Sequence, residues 1–244
     1  MDIHSKEMRY IRSSLFFRLM SPQIRKTIEK MSSDEDFLGH SDPTIMSFVY
    51  TLIMSNNITE VLELGTQIGF SAIVMGDALV KASKRMDRQT SLDTVEASKR
   101  LSDKAREYIQ GSILTEMIHV YDGASTDQRT YSSLRKAYDL IYVDSSHSYD
   151  GTREEIRIYW PYLKPSGIMI FHDSGEIASE FDPTKKGGVR RALMEWVSHQ
   201  PSDLTYSFLD PPIWANPCGM FLAVKLKIAQ TTNETCHGLT LCFG

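Results

Sequence analysis

Residues 59–73 read TEVLELGTQIGFSAI, and this stretch decides the fold. A short apolar run, Val61-Leu62-Glu63-Leu64, stops at Gly65; Gly69 follows, and Phe70-Ser71-Ala72-Ile73 opens a helical pattern. Strand, glycine turn and helix N-terminus in that order bring backbone close to a nucleotide-like ligand. Glycine is wanted there because a Cβ would block the approach or the turn itself. Positions 71 and 72, where the dinucleotide fingerprint wants its third glycine, are Ser and Ala. Glu63 at the strand end would repel a pyrophosphate. The loop therefore suits a cofactor without a pyrophosphate better than NAD.

Working outward, the same alternation of strand and helix repeats. Before the loop, Asp42-Pro43 starts a helix over 44–55, with Ile45, Phe48, Val49 and Leu52 on one face. After it come a helix over 71–83, a charged loop over 83–90, and a strand over 91–95 ending at Glu96. A helix over 98–110 is closed by Gly111, and a third strand covers 117–121. A helix is predicted over 126–137 and an apolar strand over 140–143, which runs straight into Asp144. The chain continues with a helix over 152–162, a turn at Lys164-Pro165-Ser166-Gly167, a strand over 167–171 and an amphipathic helix over 189–199. Two last strands, 204–209 and 219–226, have no helix between them. Five strand–helix repeats predict a parallel sheet covered on both faces. The fold class is α/β: a doubly wound, Rossmann-like, mostly parallel seven-stranded sheet with an antiparallel edge hairpin. The division expected is an N-terminal helical arm over 1–42, the main domain over 43–226 and an unpatterned tail over 227–244. Within the arm, Ser21-Pro22 marks a helix restart, and Tyr10, Ile11, Leu15, Phe16 and Leu19 can cover either the domain or a second copy in a homo-oligomer.

The 244 residues are 41% hydrophobic and 24% charged, with a formal charge of -4 and no block of like charges. That balance argues against a nucleic-acid surface. The apolar runs are too short to span a bilayer, and Arg9, Arg12 and Arg18 interrupt any secretory-type apolar centre. Cys218, Cys236 and Cys242 have no metal-ligand spacing and read as reduced thiols of a cytoplasmic protein.

Chemistry collects at the strand ends: Glu63, Glu96, Asp122, Asp144 and His172-Asp173. Any one of these is explained by the preference of Asp and Ser for turns and caps. Five along one edge repel one another unless something cationic sits among them, and the cations on offer are a sulfonium cofactor and a metal ion.

The run Glu63-Leu64-Gly65-Thr66-Gln67-Ile68-Gly69-Phe70-Ser71-Ala72 resembles the first motif of class I S-adenosylmethionine-dependent methyltransferases. The variant is that of the metal-dependent O-methyltransferases, which include catechol O-methyltransferase and the macrolide sugar enzymes. The resemblance continues through Thr94-Val95-Glu96, Gly123-Ala124-Ser125, Asp144-Ser145-Ser146-His147 and the run from Lys164 to His172-Asp173. Asp-x-x-His with His-Asp is most similar to the family that also contains the so-called cephalosporin hydroxylases. What the resemblance implies is specific. Gly65 and Gly69, with Thr66 and Gln67 between them, let the backbone pass the methionine part of the cofactor, and Glu63 and Ser71 hold its polar groups. Glu96 accepts both ribose hydroxyls, and Gly123-Ala124-Ser125 edge the adenine. Asp144 belongs to the cofactor site and also, with Asp173, offers hard oxygens to a divalent ion such as magnesium. The family usually has another acidic or amide group beside the second aspartate; here His172 and Ser174 flank it, and His172 is the third candidate metal ligand, an imidazole that favours manganese or iron. His147 is in the position of the general base, and its bland reading is a helix cap or a packing partner of Tyr149.

The function expected is methyl transfer to a hydroxyl of a small molecule or sugar. A catalytically silent S-adenosylmethionine-binding protein is the main alternative. A nicotinamide-dependent oxidoreductase fits less well, given Glu63 and the absent third glycine. Residues 174–188, polar and flanked by glycines, read as a lid. With the arm and residues 210–217 they are the candidate walls of an acceptor pocket.

Overall fold

A computed structural model describes residues 3–37, 40–110, 112–199, 201–210 and 218–227. Residues 211–217, most of the tail and Gly111 lie outside the described residues, and with them the expected acceptor-wall insertion, the tail and the helix stop.

Seven strands form one sheet: β1 (Glu60–Leu64), β2 (Ser91–Glu96), β3 (Ile118–Asp122), β4 (Tyr138–Val143), β5 (Leu163–His172), β6 (Leu204–Leu209) and β7 (Met220–Lys225), in the order β3-β2-β1-β4-β5-β7-β6. β1 to β5 are parallel, and β7 runs antiparallel between β5 and β6. The doubly wound sheet with its antiparallel edge is the architecture expected from the alternation. Strand order reverses between β1 and β4, so the ligand crevice belongs beyond the tips of those two strands.

Side chains alternate across the sheet as a period of two requires. Val61, Leu92, Leu140 and Tyr142 join one core; Leu62, Leu64, Ile141, Val143 and Phe171 join the other. The first core is covered by α4 (Pro43–Ser55), α5 (Phe70–Met86) and α6 (Lys99–Gln110). The second is covered by α8 (Tyr149–Tyr159) and α9 (Gly188–Ser198). The arm folds onto the first core through α1 (Ile3–Ser13), α2 (Leu15–Leu19) and α3 (Pro22–Met31), with Ile11, Phe16, Ile24 and Ile28 fully buried. Tyr10, Leu15 and Leu19 face outward instead. Asp77 on α5 ties the arm down, accepting from the Ser21 N–H (3.3 Å) and the Tyr50 hydroxyl (2.6 Å).

Several boundaries differ from the sequence reading for local reasons. α5 runs past residue 83 to Met86 and stops where Asp87 adopts φ 52°. α7 is confined to Gln128–Ser133 because Asp127 caps its start and Leu134 turns extended into the second core. α8 begins three residues early, at Tyr149, because the Ser148 hydroxyl accepts from Gly151 N–H. The turn at 164–167 sits inside β5: Ser166 has φ 67°, and the β4–β5 register shifts between Tyr138 and Leu140.

Candidate active site

The β1–α5 turn is fixed by backbone. Gly65 has φ 97°, and a Cβ there would lie 2.1 Å from the Asp144 carbonyl oxygen. The glycine is thus required by the close approach of the loop after β4. We expect Gly65→Ala to cost at least about 2 kcal/mol of stability, from left-handed strain plus the clash, read as a lower denaturation midpoint. Gly69, φ 94°, is the N-cap of α5 and meets Ala105 of α6 at 3.3 Å from a built Cβ. Gly123, φ 134°, is crowded by the Thr130 hydroxyl in the same way.

A cleft of about 510 Å³ opens at the switch point, within the usual range for small-molecule sites. Of the residues singled out in the sequence, Gly65, Gln67, Ser71, Glu96, Ala124, Ser125, Asp144, His147, His172 and Asp173 line it. Four others do not. Thr66 is buried with its hydroxyl on that of Thr94 (2.5 Å). Gly69 and Gly123 serve the helix and turn contacts just described. Glu63 is fully buried behind the wall, where Oε2 accepts from the Thr94 hydroxyl (2.5 Å). Burial pushes Glu63 up to about 7, against the Ser71 and Thr94 hydroxyls that favour its charge. Of the five acidic tips, Asp122 is also turned away: Arg106 (2.7 Å) and Ser102 (2.5 Å) hold it on the outer side of α6.

Glu96 reaches the cleft with both oxygens held from behind, by Gln67 N–H and Ser98 N–H, each at 2.8 Å. Its remaining lone pairs are available to hydroxyl donors. Beyond β4 and β5 the site becomes a cluster of two carboxylates and two imidazoles. His147 Nε2 is 2.7 Å from Asp173 Oδ2, and His172 Nδ1 lies 3.0 Å from Asp173 Oδ1 and 3.4 Å from Asp144 Oδ1. Asp173 is held at φ 54°, an uncommon conformation for a non-glycine residue. Burial opposes its charge, but the hydrogen bond with His147 and the close approach of His172 prevail and hold the carboxyl well below the usual range. The Asp173 hydrogen bond raises His147 above the ordinary histidine value in spite of burial. For His172 burial works against protonation, yet Asp144 and Asp173 push it up to about 9.

The oxygen and nitrogen atoms close enough to share one metal ion belong to Asp144, His147 and Asp173, all within 4.8 Å of one another. His172, the expected third ligand, is not in that set. It is buried beneath the two carboxylates, and its Nε2 faces the Asp42 N–H at 3.4 Å.

The arm is expected from the sequence to wall an acceptor pocket, but the sequence does not single out which of its residues do so. His40 and Ser41 line the cleft, the Ser41 hydroxyl donates to Asp144 Oδ2 (2.5 Å), and the His40 ring packs on Phe37 and Phe70. Nothing in the spacing of the arm signals this, because contacts 103 residues apart have no local pattern. Ser145, Ser146 and Thr126 also line the wall. The segment read as a lid carries a 3₁₀ turn, Ile177–Phe181. It is pinned at buried Asp182, which accepts from the N–H groups of Thr184, Lys186 and Gly188. Phe181 meets the His147 ring edge-on at 6.0 Å.

Residues 62–174 match the family model described as a methyltransferase domain. Among solved structures, the O-methyltransferase from Bacillus cereus in complex with SAH is similar at 19% identity and a TM-score of 0.69, over 84% of this chain and 91% of that one. The O-methyltransferase TomG from Streptomyces achromogenes, involved in tomaymycin synthesis and in complex with SAM, is 18% identical with a TM-score of 0.68, over 93% and 100%. The SAH-bound methyltransferase PaMTH1 of Podospora anserina is 16% identical with a TM-score of 0.68, over 91% and 95%.

Proposed function

We propose that this chain is a class I methyltransferase and transfers a methyl group from S-adenosylmethionine to a hydroxyl of a small molecule or sugar. The observation that carries this reading is the His147–Asp173 pair at 2.7 Å, in a cleft that Glu96 also lines. S-adenosylmethionine supplies an electrophilic methyl group on a sulfonium. An acidic lining suits such a cation, and Glu96 suits its ribose hydroxyls. We expect Glu96→Ala to weaken S-adenosylhomocysteine binding on the order of 10–100-fold, for the loss of charge-assisted hydrogen bonds. Calorimetric titration measures this directly; unchanged affinity would remove Glu96 from the site.

For the transfer, the acceptor hydroxyl must lose its proton as its oxygen attacks. With Nε2–H donated to Asp173, the neutral His147 ring keeps its lone pair on Nδ1, which takes that proton. Only the neutral ring can do so. Because Asp173 raises the His147 pKa, turnover is expected to be low in acid, to rise as pH passes a midpoint above the ordinary 6.5, and then to level off. A kcat–pH profile flat from pH 5 to 9 would contradict the assignment.

A divalent ion would be held by Asp144, His147 and Asp173, and would polarise the acceptor hydroxyl. Two carboxylates and an imidazole are a fitting donor set for manganese or iron as well as magnesium. Holding the ion would engage His147 as a ligand. Exhaustive chelation separates the two readings: a base-only site keeps its turnover, and a metal site loses it and recovers on adding the ion back.

A further inference from the structure

Behind the wall of the cleft lies a carboxylate that the reaction does not use. Glu155 on α8 is fully buried, and its Oε1 receives two hydroxyl protons, from Ser125 after β3 (2.5 Å) and from Ser145 after β4. β3 and β4 are separated by β2 and β1 in the sheet, so this one oxygen draws together two loops that the strands themselves keep apart. The neighbouring turn of α8 strengthens the clamp: the Tyr159 hydroxyl, also buried, donates to the Ser125 carbonyl at 2.6 Å. Glu155 Oε2 has no hydrogen-bond partner among the described residues. Burying a carboxylate with one oxygen unmatched is costly. Two serines could be bridged at less cost by a neutral amide.

We infer that Glu155 is a positioning residue that fixes the Ser125 and Ser145 hydroxyls as acceptors toward the cleft, so that the cleft selects a purine with a 6-amino group over one with a 6-oxo group. A serine hydroxyl has one proton and two lone-pair sites, and an ionised carboxylate only accepts. Ser125 and Ser145 both line the cleft, and once both protons are committed to Glu155 their hydroxyls have only lone pairs left to offer a ligand there. An exocyclic amine satisfies them. A 6-oxo group places oxygen against oxygen and leaves the buried acceptors unpaired, which is the situation in which polar sites discriminate strongly. This rests on the reading that the cleft takes an adenosyl cofactor with its base beside Ala124 and Ser125.

The test compares S-adenosylhomocysteine with its deaminated 6-oxo counterpart, S-inosylhomocysteine, by calorimetric titration at pH 8. The quantity read is the ratio of the two Kd values, which a reduced folded fraction does not alter. Wild type is expected to prefer the amine on the order of 10–100-fold. In Glu155→Leu, close in size but with no acceptor, the serine protons are released to turn to the cleft, and the ratio should fall toward one. Ser125→Ala, which leaves Glu155 in place but removes one acceptor, should lower the ratio in the same direction. A ratio unchanged in both variants, or near one in wild type, overturns the role of Glu155 and leaves the methyltransferase reading standing. Wild-type binding of neither ligand overturns both.

Discussion

His147→Ala is expected to lower turnover by a factor on the order of 10²–10⁴, the usual worth of a positioned general base. Affinity for S-adenosylhomocysteine should stay within a few-fold of wild type, because Glu96 and the Gly65 turn are untouched. The residual rate should climb with pH, as solvent hydroxide does the work of the missing imidazole, whereas the wild-type rate levels off. A packing role makes the opposite prediction. His147 is part-buried, with the Phe181 ring against it, and a residue needed only for that contact would lower the melting temperature and leave turnover per folded molecule nearly normal. Measuring both quantities on the same preparation decides between them.

Asp173→Asn should cost turnover by at least on the order of 10². The carboxylate accepts from His147 and so fixes which ring nitrogen carries the proton; an amide can present its N–H₂ instead and allow the wrong tautomer. Asparagine is the informative substitution because position 173 has φ 54°. Asn tolerates that conformation, so folding should survive the change. The pH midpoint of the residual activity should also move down. Asp173 is the main cause of the raised His147 pKa, and its removal lets burial dominate. A midpoint that stays where it is in wild type would show that another group is titrating.

The fold was legible because strand and helix periods are local. Val61-Leu62-Glu63-Leu64 and Leu140-Ile141-Tyr142-Val143 announce buried strands, and each is followed by a loop whose chemistry marks the carboxyl end. The tips were legible as a set, but not individually. Glu63 and Glu96 stand at equivalent ends of adjacent strands, yet Glu63 lies buried under Ser71 and Thr94 while Glu96 lines the cleft. Asp122 finds Arg106 and leaves the site altogether. The third candidate metal donor also shifted, from His172 to His147. Adjacency to Asp173 in sequence suggested His172, whereas that ring is buried with Nδ1 facing Asp144 Oδ1 and Asp173 Oδ1. Glu155 falls in the first turn of the helix expected over 152–162, where the dipole alone would account for an acid. Its burial beneath Ser125 and Ser145 depends on the packing of α8 across two strand tips, which no spacing within the helix reports. Ser41 follows the same logic across a still longer separation.

Whether the cleft between β1 and β4 holds an adenosyl sulfonium cofactor is decided by calorimetric titration of the wild-type protein. Saturable binding of S-adenosylhomocysteine is expected with one site per chain, no measurable competition by NAD, and a clear loss of affinity in Glu96→Ala. Absence of binding, or binding that NAD displaces and Glu96→Ala leaves unchanged, would contradict that reading of the cleft.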